Sequence, residues 1–398
     1  MALLIRRGRD GSAGRWLNAT VLGVGLASLF ADASHEMATA ALPAFLASLG
    51  ASSAELGLIE GLSDGLSSLA KLFSGYWTDG LKRRKPLAVL GYAVTALAMA
   101  SLSLARSWFQ VLAARMTGWI GRGARGPVRN TLLTEATAPE SYGRAFGLER
   151  AMDSLGAFLG PLLALFAMRA WGLRPTFALS LIPGLLASLV FASLVLEKPR
   201  EPREALPGLW LSARSLPAAY KRFLAGVGLA GAGDFSNTLL ILWATQAWTP
   251  RLGTARAAAL AMLFYAGYNA VYALSCYAAG VLADRCPKKA VLASGYALGA
   301  VPAALLLAPG AGYAKFILVF GLSGLYMGFW ETVEGAAAAE ILPPEKQGLG
   351  FGSLAAVNGA GDFVSSAVVG GLWALSPTAA MSFVIATSLA GAALIAGS

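Results

Sequence analysis

Charge is what this chain lacks: Lys, Arg, Asp and Glu make up 13% of its 398 residues, against 57% hydrophobic. So little charge excludes a single soluble domain, because no one core could bury that many apolar side chains. Histidine occurs once and cysteine twice, which excludes a disulfide framework and any zinc-ligand spacing. Cys276 lies in an apolar run and Cys286 in a basic loop, and both read as structurally neutral. No nucleophile constellation is present. The stretch Gly121-Arg-Gly-Ala-Arg-Gly126 is glycine-rich but sits inside an apolar segment, without the strand that a phosphate loop needs. Neither an enzyme nor a cofactor is expected, and no resident metal.

What the chain does have is long apolar runs, with a mean hydropathy of +0.62. Crossing hydrocarbon takes about 20 mostly apolar residues, and a helix satisfies its own backbone hydrogen bonds there. Segments 18–47, 54–78, 86–105, 108–133, 145–168, 175–196, 222–247, 257–283, 290–308, 315–341, 351–375 and 377–397 qualify. They predict an all-α membrane protein with twelve transmembrane helices, six per half. Residues 1–196 would form one bundle and 222–398 the other, joined by the charged, proline-rich linker 197–221.

The net charge of +10 is not a nucleic-acid patch, because its positive residues alternate between loops. Arg6, Arg7, Arg9 and Arg15 precede the first span, Lys82 to Lys85 follow the second, and Lys198, Arg200, Arg203, Arg214, Lys221 and Arg222 fall between the sixth and seventh. The positive-inside rule then puts both termini in the cytoplasm. The start is not a signal peptide, since its apolar run is too long and contains Asp32, His35 and Glu36.

Ionisable groups inside spans are expensive and are functional candidates by default. Asp32, His35 and Glu36 share one face of span one, and span seven repeats the pattern as Asp234-Phe-Ser-Asn237. Matching polar positions in the two halves point to a central site, although Asp32 and Glu36 could instead neutralise arginines, and His35 could be a packing residue. Span two adds Glu60 and Asp64, with Lys71 further along. Span four carries Arg115, Arg122, Arg125 and Arg129 at helical spacing, interrupted by Gly118 and bent near Pro127. That stripe either binds an anion by forked hydrogen bonds or pairs with the acids of neighbouring spans. Counting Asp153 and Arg150, five acids face six bases in the amino-terminal spans, which favours pairing. The carboxy-terminal spans differ: Asp234, Glu331, Glu334 and Asp362 lie within them, while every Lys and Arg sits at a helix end or in a loop. Such acids must take protons, bind cations or face water. Asp362 follows Gly359 and Gly361, where the backbone is loose.

Gly75-Tyr-Trp-Thr-Asp79-Gly-Leu-Lys82-Arg83-Arg84-Lys85 follows span two and returns, 205 residues later, as Gly280-Val-Leu-Ala-Asp284-Arg285-Cys-Pro-Lys288-Lys289. The chain is therefore a tandem duplication. Both copies resemble the loop motif of the major facilitator superfamily, G-x-L-A-D-R-x-G-R-K, the second more closely than the first. Arg115 and the displaced Gly118 resemble a degraded form of the family's fourth-span motif, whose arginine family logic links to proton transfer. Gly147, Gly156 and Gly160-Pro161 in span five resemble the antiporter motif of the bacterial twelve-span drug/proton branch, with Ala164 and Leu165 replacing its last glycines.

The resemblance implies two six-helix bundles with pseudo-twofold symmetry around a midplane cavity, opened to each side in turn. It implies gating by Asp79 and Asp284 through basic neighbours or helix ends, in a monomeric protein of a bacterial inner membrane. Proton-coupled export of a small cationic or amphipathic organic compound is the expected function. Three alternatives stay open: a divalent-metal exporter using Asp32, His35, Glu36, Asp234 and Asn237, an organic-anion carrier using the arginine stripe, and a non-transporting assembly factor.

Overall fold

A computed structural model describes residues 16–51, 53–198, 208–234, 237–310 and 312–397. Some side chains within helices, those of Glu60, Asp64 and Asn237 among them, fall outside that description, as do the arginines before residue 16 and residues 199–207 of the linker.

The described residues form helices α1 (Ala19–Ser48), α2 (Ser53–Gly80), α3 (Lys85–Ser101), α4 (Trp108–Glu135), α5 (Tyr142–Trp171), α6 (Leu173–Leu179) and α7 (Leu181–Leu194). The short α8 (Leu209–Arg214) follows, then α9 (Ala218–Gly231), α10 (Asn237–Leu252), α11 (Thr254–Arg285), α12 (Lys288–Leu307), α13 (Tyr313–Ile341), α14 (Gln347–Leu375) and α15 (Pro377–Ala396). Among the described residues there is no strand. Taking α6–α7 and α9–α10 as one interrupted span each, and α8 as part of the linker, gives the twelve spans expected from hydropathy. Six of them, including Lys85–Leu104, Tyr313–Ile341 and Pro377–Ala396, are long and apolar enough to cross a membrane on composition alone. Others are equally long but carry buried charge, α4 with its arginines being the clearest case.

Two interruptions were not visible in the apolar runs. Span six breaks at Ser180, and span seven leaves the helix after Gly231, so Asp234 is non-helical. Glycine is a poor helix former and aspartate competes with the backbone for hydrogen bonds, so Gly231-Ala-Gly233-Asp234 makes a weak point. Two tight turns, after α1 and after α10, use glycine at positive φ, Gly50 at 76° and Gly253 at 77°, which a side chain would strain.

The chain divides into two compact units, one of residues 1–216 with 342–356 and one of residues 217–341 with 357–398. The start of α14 therefore packs with the first unit. In the first unit a hydrophobic cluster around Phe45, Leu102, Val111 and Phe177 closes the end away from the basic loops. In the second, Trp248, Phe264, Phe316, Phe320 and Met381 do the equivalent.

Candidate functional site

In the first unit the site is assembled on α1, α4 and α5. A Cβ on Gly156 would lie 2.2 Å from the Leu29 carbonyl oxygen, and one on Gly160 would lie 2.9 Å from that of Ala33. The glycines of α5 thus let the backbone of α1 approach closely, which sets the height of Asp32, His35 and Glu36 against α4.

The arginine stripe is largely, not wholly, neutralised. Arg122 Nη1 lies 3.0 Å from Asp32 Oδ1. Arg129 Nη1 lies 2.7 Å from Glu149 Oε1 and donates to Ser28 Oγ at 2.9 Å, while Ser28 in turn donates to Glu149. Arg150 bridges Glu149 and Asp153 at 3.6 and 3.5 Å. Arg115 donates to Thr39 Oγ1 at 3.1 Å and is 1% exposed. Arg125 differs: it is 3% exposed, its guanidinium stacks 4.1 Å from the centre of the Tyr92 ring, and among the described residues it makes no ion pair. His35 is buried edge-on against Trp119 at 5.0 Å, with Nδ1 lacking a hydrogen-bond partner. Among the described residues no group of three His, Cys, Asp or Glu side chains could hold a metal.

Glu149 was missing from the sequence count of buried acids, yet among the described carboxylates of this unit it is the most enclosed, at 1% exposure. Tyr92 and Trp119 were missed as well, since an aromatic in an apolar span carries no sign that a guanidinium will stack on it.

In the second unit the four acids have distinct surroundings. Glu334 accepts from Tyr296 Oη at 3.0 Å, from Trp330 Nε1 and from Asn358 Nδ2, so α12, α13 and α14 meet on one carboxylate. Glu331, one turn away, accepts from Tyr272 Oη at 2.5 Å. Asp234 lies in the break of span seven and lines a cavity with Tyr268, Ser323, Tyr326 and Ser388. Asp362 follows Gly361, which packs against Gly231 so closely that a Cβ would sit 3.2 Å from its backbone. Asp362 and Glu331 both act electrostatically on Asp234.

At the basic end, Asp79 accepts from the Gly348 and Leu349 amides at 2.8 Å each, holding the N-terminus of α14 where the helix dipole favours an anion. Gly75 permits this, since a Cβ there would lie 2.3 Å from the Gly348 carbonyl oxygen. Arg83 is exposed and Arg84 is the buried member of the motif, bound to Glu135 at 2.6 Å and Glu197 at 3.3 Å. Burial works against its charge, but the two carboxylates outweigh burial and hold Arg84 above the usual arginine range. In the second copy Lys288 pairs with Glu340 at 2.8 Å, Asp284 and Arg285 end α11, and Gly280 is buried within it.

Two bundles of membrane-spanning helices, with charged networks inside them and a repeated basic turn, define a multi-pass transporter fold. The chain belongs to the Major Facilitator Superfamily, whose family profile matches residues 24–252. It is 27% identical over 378 residues to an uncharacterised MFS-type transporter of Methanocaldococcus jannaschii, covering 94% of this chain and 93% of that protein. An uncharacterised protein of Mycobacterium tuberculosis is 26% identical over 397 residues, covering 94% and 91%. Among solved structures the fold matches the E. coli fucose:proton symporter (TM-score 0.74, 15% identity, 95% and 98% covered) and the human organic anion transporter (TM-score 0.68, 16% identity, 95% and 99% covered).

Proposed function

We propose that the protein is an ion-coupled secondary transporter that exports a small organic anion by alternating access. The observation that carries this reading is Arg125. A buried guanidinium that stacks on a ring and, among the described residues, makes no ion pair costs several kcal/mol, and a carboxylate or phosphate group on the cargo would meet its forked donors. A cationic cargo has less support, because Arg122 already takes up the charge of Asp32. The coupling cation is assigned to the acids of the second unit: the described spans of that unit contain no Lys, Arg or His between their ends, so a bound cation or proton is the least costly way to hold Asp234, Glu331 and Asp362 together. Export follows the span-five glycines and agrees with the membrane potential. Outward movement of an anion and inward movement of a cation each gain about 2.3 kcal/mol per charge per 100 mV, inside negative. The reading places the protein in the inner membrane with both termini cytoplasmic.

The test is binding of citrate, benzoate and a hexose phosphate to purified protein, with tetraphenylphosphonium as the cationic comparison. At least one anion is expected to bind, with affinity lost in Arg125→Gln while the melting temperature holds or rises. Binding of the cation alone, or anion binding unchanged in Arg125→Gln, would refute it.

A further inference from the structure

The cavity beside the break of span seven has an unusual lining. Ser388 on α15 is 3% exposed and Ser323 on α13 is 7% exposed, and both face the cavity. Neither hydroxyl has a hydrogen-bond partner among the described residues. A serine buried in a helix ordinarily bonds the carbonyl one turn back, as Ser275 does with Tyr272. Ser323 and Ser388 both line the cavity that Asp234 also lines. A carboxylate-bearing residue and two buried hydroxyl-bearing ones on one cavity offer oxygen ligands to an occupant.

We propose that this cavity is a sodium site, with the Asp234 carboxylate and the Ser323 and Ser388 hydroxyls among its ligands. Every polar atom named is an oxygen, which suits a hard cation and not a soft one. The lining also contains Gly233, Gly299, Pro302, Met327 and Val384, which supply no rival donor cation. The charged and titratable groups packed around Asp234 are Glu331 and Tyr326 on α13, Asp362 on α14, Tyr268 on α11 and Tyr296 on α12. None is a base, and the two carboxylates acting on Asp234 favour a cation at the cavity. The break itself contributes, because interrupting a spanning helix places backbone dipole ends at the depth where an ion can use them. Gly233 packs directly on Thr387, one residue before Ser388, so filling the cavity would tie the break to α15. An ion bound there thereby sits against the break of span seven.

This inference rests on the ion-coupling reading and not on the anion reading. It is tested by binding of radioactive sodium to the purified full-length protein at pH 8, displaced by unlabelled NaCl, with choline chloride holding ionic strength constant. Saturable binding is expected, weaker by at least about fivefold in Ser323→Ala and in Ser388→Ala and lost in Asp234→Asn. Each serine variant removes one oxygen and adds no bulk, so a folded protein remains available if the aspartate variant does not fold. Proton uptake by the same samples between pH 8 and pH 6 is measured in parallel. If sodium does not bind, or binds equally to all variants, while a proton is taken up in the wild type and not in Asp234→Asn, the sodium site is wrong and the coupling reading stands with the proton as its ion. If neither cation binds, both fall.

Discussion

At the scale of the residue, the decisive contrast is between Arg129 and Arg125, one turn apart on the same helix. Arg129 has a carboxylate at 2.7 Å and a hydroxyl at 2.9 Å, so its charge is balanced in place. Removing one partner of a buried pair strands the other charge at a cost of about 3 kcal/mol or more. Glu149→Gln is therefore expected to lower the melting temperature sharply in detergent. The opposite sign is expected for Arg125→Gln, where no ion pair is broken. A Glu149→Gln protein as stable as the wild type would show that Asp153, 3.9 Å from Arg129, carries the balance instead. The sequence showed the stripe and favoured its pairing with acids of neighbouring spans, as Arg122 pairs with Asp32 and Arg129 with Glu149, but it did not show that Arg125 is left out among the described residues. Helical spacing puts four arginines on one face, but which of them finds an acid depends on how α1 and α5 pack against that face.

At the scale of the element, glycine placement explains the architecture better than hydropathy does. The glycines of α5 look like a family signature in the sequence, and in the structure they have a mechanical role: Gly156 and Gly160 are where α1 lies against α5. Gly156→Leu is expected to push α1 away, with loss of folded protein or of anion binding, because the clash is with backbone oxygen and not with a flexible side chain. Normal yield and binding in that variant would mean that α1 slides without consequence. The hold of Asp79 on α14 is likewise an element-scale feature. Asp79→Asn keeps the shape but removes the charge facing the helix N-terminus, an expected loss of about 1 kcal/mol, readable as a lower melting temperature. An unchanged melting temperature would leave that contact without energetic weight. The break in span seven was read through as continuous helix, because 222–247 is apolar on average and averaging conceals two glycines and an aspartate.

At the scale of the whole molecule, the duplication was legible because its punctuation is made of Gly, Asp and basic residues, which stand out in an apolar chain. The repeat also reaches features that the sequence did not advertise. The turns Pro139–Ser141 and Pro344–Lys346 are both 3-10, again 205 residues apart. Each half then ends a span with a glutamate that grips the basic loop of its own half, Glu135 on Arg84 and Glu340 on Lys288. The charge contrast between the halves was legible too, balanced in one and acidic in the other; less legible were the partners of the second half's acids, which are phenols, an indole and an amide from distant helices.

The two glutamate grips are not equal. The Arg84 side chain is fully buried, while that of Glu340 is 53% exposed. Mobile ions screen exposed charges at distances near 10 Å in about 0.1 M salt and reach enclosed ones far less. A rise in ionic strength should therefore slacken one half and leave its twin nearly untouched. Melting followed from 50 mM to 1 M KCl is expected to fall for the wild type and to fall less for Glu340→Gln; parallel curves would show that the halves feel salt alike. A protein that duplicated its structure would then have kept, in only one of its copies, a response to the saltiness of the medium at that end.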